Sequence, residues 1–172
     1  AALLEIDSTA TLANVLSIKV CDANGNCPSS AILAGIDFCL NNSAQQNVSV
    51  ISGSFSDNGE YNSTNCPTYF EPALVAANEQ NISNVFAAGN NYYQNGISYP
   101  ACSPFSISVG ASTKQDEIAS FTNRGELLDI LAPGVDITST LPNNTYGVKS
   151  GTSMSVPFVA GTIALIVQKQ KL

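Results

Sequence analysis

The chain has 172 residues, enough for one domain with a sizeable core, and 44% of them are apolar against 11% charged, which suits a compact globular protein and argues against disorder. A formal charge of −7, with no histidine and no basic stripe, excludes nucleic acid as an electrostatically held partner. The longest apolar run, 154–167, is shorter than the ~20 residues a bilayer requires and is interrupted by Pro157, so no membrane-spanning helix is expected.

The opening AALLEID lacks the basic leader and small-residue cleavage site of a secretory signal. VLSIKV (15–20) is a β-branched apolar run bounded by turn formers and reads as a buried strand. Cys21 and Cys27 flank DANGN, a turn-rich stretch that would bring them within disulfide reach. Pro28, Ser29 and Ser30 then open a helix on which Ile32, Leu33, Ile36 and Leu40 recur at helical spacing, and LNNS closes it. NVSVI (47–51) is the next strand, followed by a polar loop through Cys66 and Pro67.

A helix over 69–80 turns Leu74, Val75 and Ala77 inward, and NVFAA (84–88) is a strand ending at Gly89–Asn90. This alternation predicts a mostly parallel central sheet with right-handed crossovers, extended by strands at 105–111 and 127–131. Segments 135–139 and 146–149 form a shorter pair. The final helix, 153–170, is apolar nearly all round and is expected to be buried on most sides, with Pro157 in its first turn where no backbone donor is needed. No repeat or linker divides the chain, so 1–172 reads as a single α/β domain.

The five cysteines are Cys21, Cys27, Cys39, Cys66 and Cys102. With no histidine and no C-x-x-C spacing, zinc is not expected and no metal site is assigned. Glycosylation sequons at Asn41, Asn47, Asn62, Asn81 and Asn143 give weak support to a secreted, extracellular protein.

Two short motifs carry chemistry. In KSGTSMSVPFVAG, Gly151 and Thr152 keep the approach to Ser153 narrow, and Ser153 stands at the mouth of the last helix. A helix N-terminus offers unpaired N–H groups and a partial positive charge, which stabilise a developing anion. The plain alternative is an ordinary serine N-cap. VFAAGN ends a parallel strand at its carboxyl edge, where ligand sites of α/β sheets lie, and Asn90 is the first polar side chain there. A neutral amide at that place suits an oxyanion donor, although Gly-Asn alone is also a common turn.

With these motifs in hand, the sequence resembles the subtilisin-like serine proteases, or subtilases. SGTSMSVPFVAG (150–161) resembles the family's nucleophile motif and VFAAGN its oxyanion segment. SYPACSPFSISVGA (98–111), IASFTNRG (118–125) and DILAPGVDITSTLP (129–142) resemble the segments between them, in the same order. The resemblance implies a three-layer α/β sandwich, Ser153 as nucleophile and Asn90 as oxyanion donor. It further implies that a peptide substrate lies as an added strand between Gly25-Asn26-Cys27 and Ser52-Gly53-Ser54. Ala87, Ala88, Gly89 and Ser98 would line the pocket for the residue before the scissile bond, with Thr152 at the site. Many relatives have glycine where Ser98 stands, so a shallower, more polar pocket is expected.

No cofactor is implied. A weak structural Ca2+ site is frequent in the family, and the carbonyls of Ala101, Ser103 and Ser106 with Asp129 correspond to one. The family's catalytic aspartate and histidine motifs precede anything matched here, AALL resembles residues just after the histidine helix, and family members continue past the equivalent of Leu172. The resemblance therefore implies the C-terminal two-thirds of a catalytic domain, nearly inert alone, with the base supplied by a missing N-terminal segment or a second chain. The alternative is a catalytically dead homologue that binds peptides or protein partners in the same groove. A sedolisin-like reading using Glu5 and Asp7 fits less well, because sedolisins carry aspartate where Asn90 stands.

Overall fold

The computed structural model describes residues 13–170. Four parallel strands form the centre: β1 (Val50–Gly53), β2 (Ser83–Ala87), β3 (Ile107–Ser112) and β4 (Ile130–Pro133), side by side in that order. Helix α1 (Ser29–Asn41) leads through a short α2 (Ser43–Gln46) into β1, and α3 (Glu71–Glu79) joins β1 to β2. After β4 comes an antiparallel pair, β5 (Ile137–Leu141) and β6 (Thr145–Lys149), and then α4 (Thr152–Gln170).

The sheet separates two apolar layers because β2 alternates. Phe86, with Ala88 just beyond the strand, faces Ile32, Ile36, Phe70, Ala73 and Leu74 from the α1/α3 side. Val85 and Ala87 face Val109, Ala132, Val156 and Val159 on the α4 side. This period-two division, with all five residues of 84–88 buried, is what a strand covered on both faces requires. The three-layer α/β expectation holds.

Helices α1 and α3, the hairpin, β2 and β3 fall where the sequence places them, within two residues at most ends. Elsewhere the structure differs. Residues 15–20 form no ladder with any described strand: Val15 is 69% exposed, while Ile18 and Val20 pack on Gly35 of α1. The alternation VLSIKV is real, but it lays the segment on a helix rather than into the sheet. Strand β1 begins at Val50 rather than residue 47, because Asn47 takes a left-handed conformation (φ 52°) that closes α2. Strand β4 begins at Ile130 because Leu128 is in a turn, its N–H donating to Gly125 O, and Leu127 and Leu128 pack into the α1/α3 layer.

Helix α4 is less buried than its composition predicts. Only Thr152, Ser155, Val156 and Val159 are buried, and Ile166 is 52% exposed. The reason is length. Nineteen helical residues run about 28 Å, whereas strands of four to six residues cover only about 13–20 Å. The far turns of α4 extend beyond the sheet. Pro157 is also one turn deeper than expected, inside the helix that starts at Thr152.

Two disulfides are formed. Cys21–Cys27 closes the DANGN turn, and Cys66–Cys102 ties the loop before α3 to the segment before β3; Cys39 is free and buried. The segments AALL and AALLEID, with Glu5 and Asp7, lie outside the described residues.

Leu74 is fully buried at the centre of the α1/α3 layer. Leu74→Ala is expected to lower the unfolding free energy by about 2–5 kcal/mol. Denaturant titration of the folded protein measures this, and a loss below about 1 kcal/mol would contradict the packing described.

Candidate active site

The carboxyl ends of β1 and β2 meet the amino end of α4. Ser54 follows β1, Gly89–Asn90 follows β2, and Ser153 is the second residue of α4. Pro157 determines how the first and last of these join. A helical residue at 157 would normally donate its N–H to the carbonyl four residues back, and proline has none. The Ser153 carbonyl accepts instead from Ser54 Oγ at 2.9 Å. In return Ser153 Oγ donates to Ser54 O at 3.2 Å. The two serines hold each other, and Ser153 is half-buried at the start of the helix.

Asn90 is fixed from the same helix. Its Oδ1 accepts the Thr152 N–H at 2.8 Å and the Thr152 hydroxyl at 3.0 Å. The Thr152 hydroxyl also accepts from the Gly89 N–H at 3.3 Å. With Oδ1 committed, Asn90 Nδ2 is the free end of an exposed amide, 3.6 Å from where a β-carbon on Gly151 would stand. The start of α4 is itself anchored: Gly151 N–H donates to Gly134 O, and Ser155 Oγ donates to Ala132 O at the end of β4.

A cleft of about 390 Å³ opens beside Ser54. Gly25, Asn26 and Cys27 form one wall, and Ser54, Phe55, Ser56 and Asp57 another. Tyr69, Phe70 and Tyr99 close it, with ring centroids 4.4–5.2 Å apart. The Gly25–Cys27 edge is set by its disulfide and by Asp22. The Asp22 backbone pairs with Asn26 O, and its carboxylate accepts the Asn24 and Asn26 N–H groups and the Asn26 amide. The Asn26 backbone N–H is the main cause holding that carboxyl below the usual range. Burial pushes the Tyr99 phenol well above its usual range, and its oxygen accepts the Phe70 N–H at 2.6 Å.

Among the sequence-predicted residues, the structure brings together Ser153, Asn90, Thr152, Ser54 and Gly89, with Gly25, Asn26 and Cys27 across the cleft. Ser98 is fully buried, its hydroxyl donating to Gly59 O at 2.8 Å and accepting from Asn123. Ala87 and Ala88 are buried in opposite layers beneath Gly89. Ser52 is exposed on β1, and Gly53 lies under Phe86, whose ring a β-carbon there would strike at 2.3 Å. Neither Ser52 nor Gly53 lines the cleft. Asp57 went unnoticed in the sequence, yet it accepts from Gly59 N, Tyr99 N and the Tyr61 hydroxyl and so shapes the wall. Its signal was the turn-forming Asp-Asn-Gly.

The subtilase family model matches residues 5–172, all but the first four. This chain belongs to the subtilase family. It is 39% identical over 160 residues to subtilisin E of Bacillus subtilis (strain 168), covering 91% of this chain and 39% of that protein. It is 40% identical to subtilisin of Bacillus pumilus over 156 residues, covering 89% and 53%, and 34% identical to subtilisin-like protease 7 of Arthroderma gypseum, covering 90% and 38%. The subtilase chain thus spans about two-fifths to one-half the length of these curated relatives. Among solved structures, the prenylagaramide maturation protease PagA matches at a TM-score of 0.76 and 28% identity, covering 87% of this chain and 53% of that one.

Because Pro157 leaves the Ser153 carbonyl dependent on Ser54, Ser54→Ala should destabilise the protein by about 1 kcal/mol or more, the cost of leaving a part-buried acceptor unpaired. Adding Pro157→Ala, which restores a helical N–H, should recover part of that loss. Thermal and denaturant unfolding of the single and double variants measure both, and strict additivity would contradict the shared acceptor.

Proposed function

We propose that this subtilase chain carries the nucleophile and oxyanion half of a serine endopeptidase. The observation that carries the reading is the pair of donors at one helix mouth, an Asn90 amide oriented by Thr152 and the Ser153 N–H at the start of α4. Ser153 Oγ attacks the carbonyl carbon of a peptide bond, and the negative charge gathering on the carbonyl oxygen is held by Asn90 Nδ2 and the Ser153 N–H. Collapse releases the amine fragment and leaves an acyl group on Ser153, which water then removes. The helix dipole of α4 favours the same charge.

Serine needs a base to take its proton, and the 172 residues hold no histidine. In this reading the histidine and its aspartate come from a segment beyond these residues or from a second chain. Alone, the Ser153 hydroxyl is donated to Ser54 O, which is the resting state of an unactivated nucleophile. The same fact supports the second reading, a catalytically inactive homologue that retains peptide binding.

The substrate is a peptide or protein in extended form. It would lie along Gly25–Cys27 and Ser52–Ser54, the latter at the outer edge of the sheet, where β1 has a described neighbour on one side only. Secretion belongs to the same reading, supported by two disulfides. Among the described residues no helix is long and apolar enough to cross a membrane. The weak Ca2+ site at Ala101, Ser103, Ser106 and Asp129 fits to the extent that Ser108 engages Asp129 Oδ2 and leaves Oδ1 as a hard ligand.

The test uses the complete natural protein. Ser153→Ala is expected to abolish labelling by a fluorophosphonate, and Asn90→Ala to lower kcat about 10²–10³-fold. Turnover unchanged in either variant would overturn the peptidase reading. Peptide binding without labelling of the unmodified protein would favour the inactive homologue.

A further inference from the structure

We infer that Asn123 is a positioning residue that sets the oxyanion loop around Asn90; the inference rests on the peptidase reading above. Asn123 lies between β3 and β4, far from Asn90 in sequence, and is 0% exposed. Its Oδ1 accepts the N–H groups of Asn91 at 2.8 Å and Tyr93 at 3.1 Å. Its Nδ2 donates to Ala88 O at 3.1 Å and Ser98 Oγ at 3.0 Å. Its own backbone N–H donates to Gly89 O at 3.0 Å. Both donors and both lone pairs of the amide are used.

Those partners bracket Asn90: Ala88 and Gly89 before it, Asn91 and Tyr93 after it. The hydrogen bonds of Asn123 go to the neighbours of Asn90, so the freedom of Asn90 is limited by what holds those neighbours. Two N–H groups from residues two apart converge on one oxygen, the concave arrangement that backbone forms when alternate residues take opposite helical senses. Tyr92 accordingly sits at φ 61°, a left-handed conformation that bulky side chains avoid. The Tyr92 N–H donates to Phe121 O, and the Arg124 guanidinium lies 5.8 Å from its ring, so residues 121–124 hold the turn from one side.

Packing supports the same role. Gly89 has φ 102°, and a β-carbon there would stand 2.3 Å from Asn123 Nδ2 and 2.6 Å from Ser98 Oγ. The amide therefore rests directly on the backbone that leads to Asn90. Thr152 orients the Asn90 amide from the helix, and Asn123 fixes the main chain carrying it. An aspartate at 123 keeps the acceptor for Asn91 and Tyr93 but sets a carboxylate against Ala88 O. An alanine removes all four side-chain bonds.

The experiment is a double-mutant cycle in the complete natural protein, with rates normalised to the fraction of Ser153 titrated by a fluorophosphonate. Asn123→Ala should lower kcat about 10- to 100-fold, as a small misplacement of a catalytic group does, with KM changed less than about threefold. In an Asn90→Ala background the same substitution should cost less than about twofold, because the donor it positions is gone. Asn123→Asp serves where the alanine variant fails to fold, with the same pattern expected. Equal losses in both backgrounds would overturn the positioning role and leave Asn123 as a packing residue. An unmodified protein that takes no label, or an Asn90→Ala variant with full activity, would instead overturn the peptidase reading beneath it.

Discussion

A proline in the second turn of a helix leaves one carbonyl without its donor, and in this chain that carbonyl belongs to Ser153. A serine on the neighbouring strand end supplies the missing hydrogen bond, and much of the site's geometry follows. The bond ties the carboxyl end of β1 to the amino end of α4. Thr152, one residue earlier, ties the end of β2 to the same place through Asn90 and Gly89. Ser155 and Gly151 tie the end of β4. A helix mouth gripped by three strand ends cannot rotate without breaking several hydrogen bonds at once. Rigidity here comes from polar contacts at the sheet edge as well as from the apolar contacts of Val156 and Val159.

The two halves of the fold were legible for different reasons. Helix α1 could be read because Ile32, Ile36 and Leu40 repeat on one face, and β2 because Val85 to Ala88 form an unbroken apolar run, as suits a strand buried on both faces. The misplaced elements share a cause: apolar pattern records burial, not what does the burying. Residues 15–20 alternate as a strand does, and Ile18 and Val20 are turned inward, but the surface they meet is Gly35 of a helix. In α4 the composition promised burial on most sides, and strand length, which hydropathy does not encode, limited it. The start of β1 was lost to Asn47, whose left-handed turn is a property of backbone geometry that asparagine permits without requiring.

The candidate site was legible only as far as motifs reach. Ser153, Asn90 and Thr152 stand in short runs whose chemistry can be argued residue by residue. Asn123 and Asp57 act across 30 to 42 residues of sequence, through hydrogen bonds to main chain. Nothing local distinguishes an asparagine that satisfies four backbone and hydroxyl partners from one in a solvent-facing turn. Its identity emerges only when the loop after β2 folds against the loop after β3.

On the proposed reading, the two parts of the reaction ask different things of the protein. Stabilising an oxyanion requires neutral donors fixed in place, and neutral donors can be fixed by hydrogen bonds among the strand ends, the loop holding Asn123 and the start of α4. Nothing in that half needs a charge, and the pieces are held whether or not a base is near. Proton removal from Ser153 is different: it needs a titratable group within hydrogen-bond reach, and the hydroxyl here donates to a main-chain carbonyl that cannot take the proton. On the proposed reading, the chain thus holds a preformed oxyanion half with its nucleophile unactivated. Bringing a histidine to Ser153 would have to displace only one hydrogen bond, the 3.2 Å bond to Ser54 O. The reciprocal bond from Ser54 Oγ, which holds the backbone, would stay.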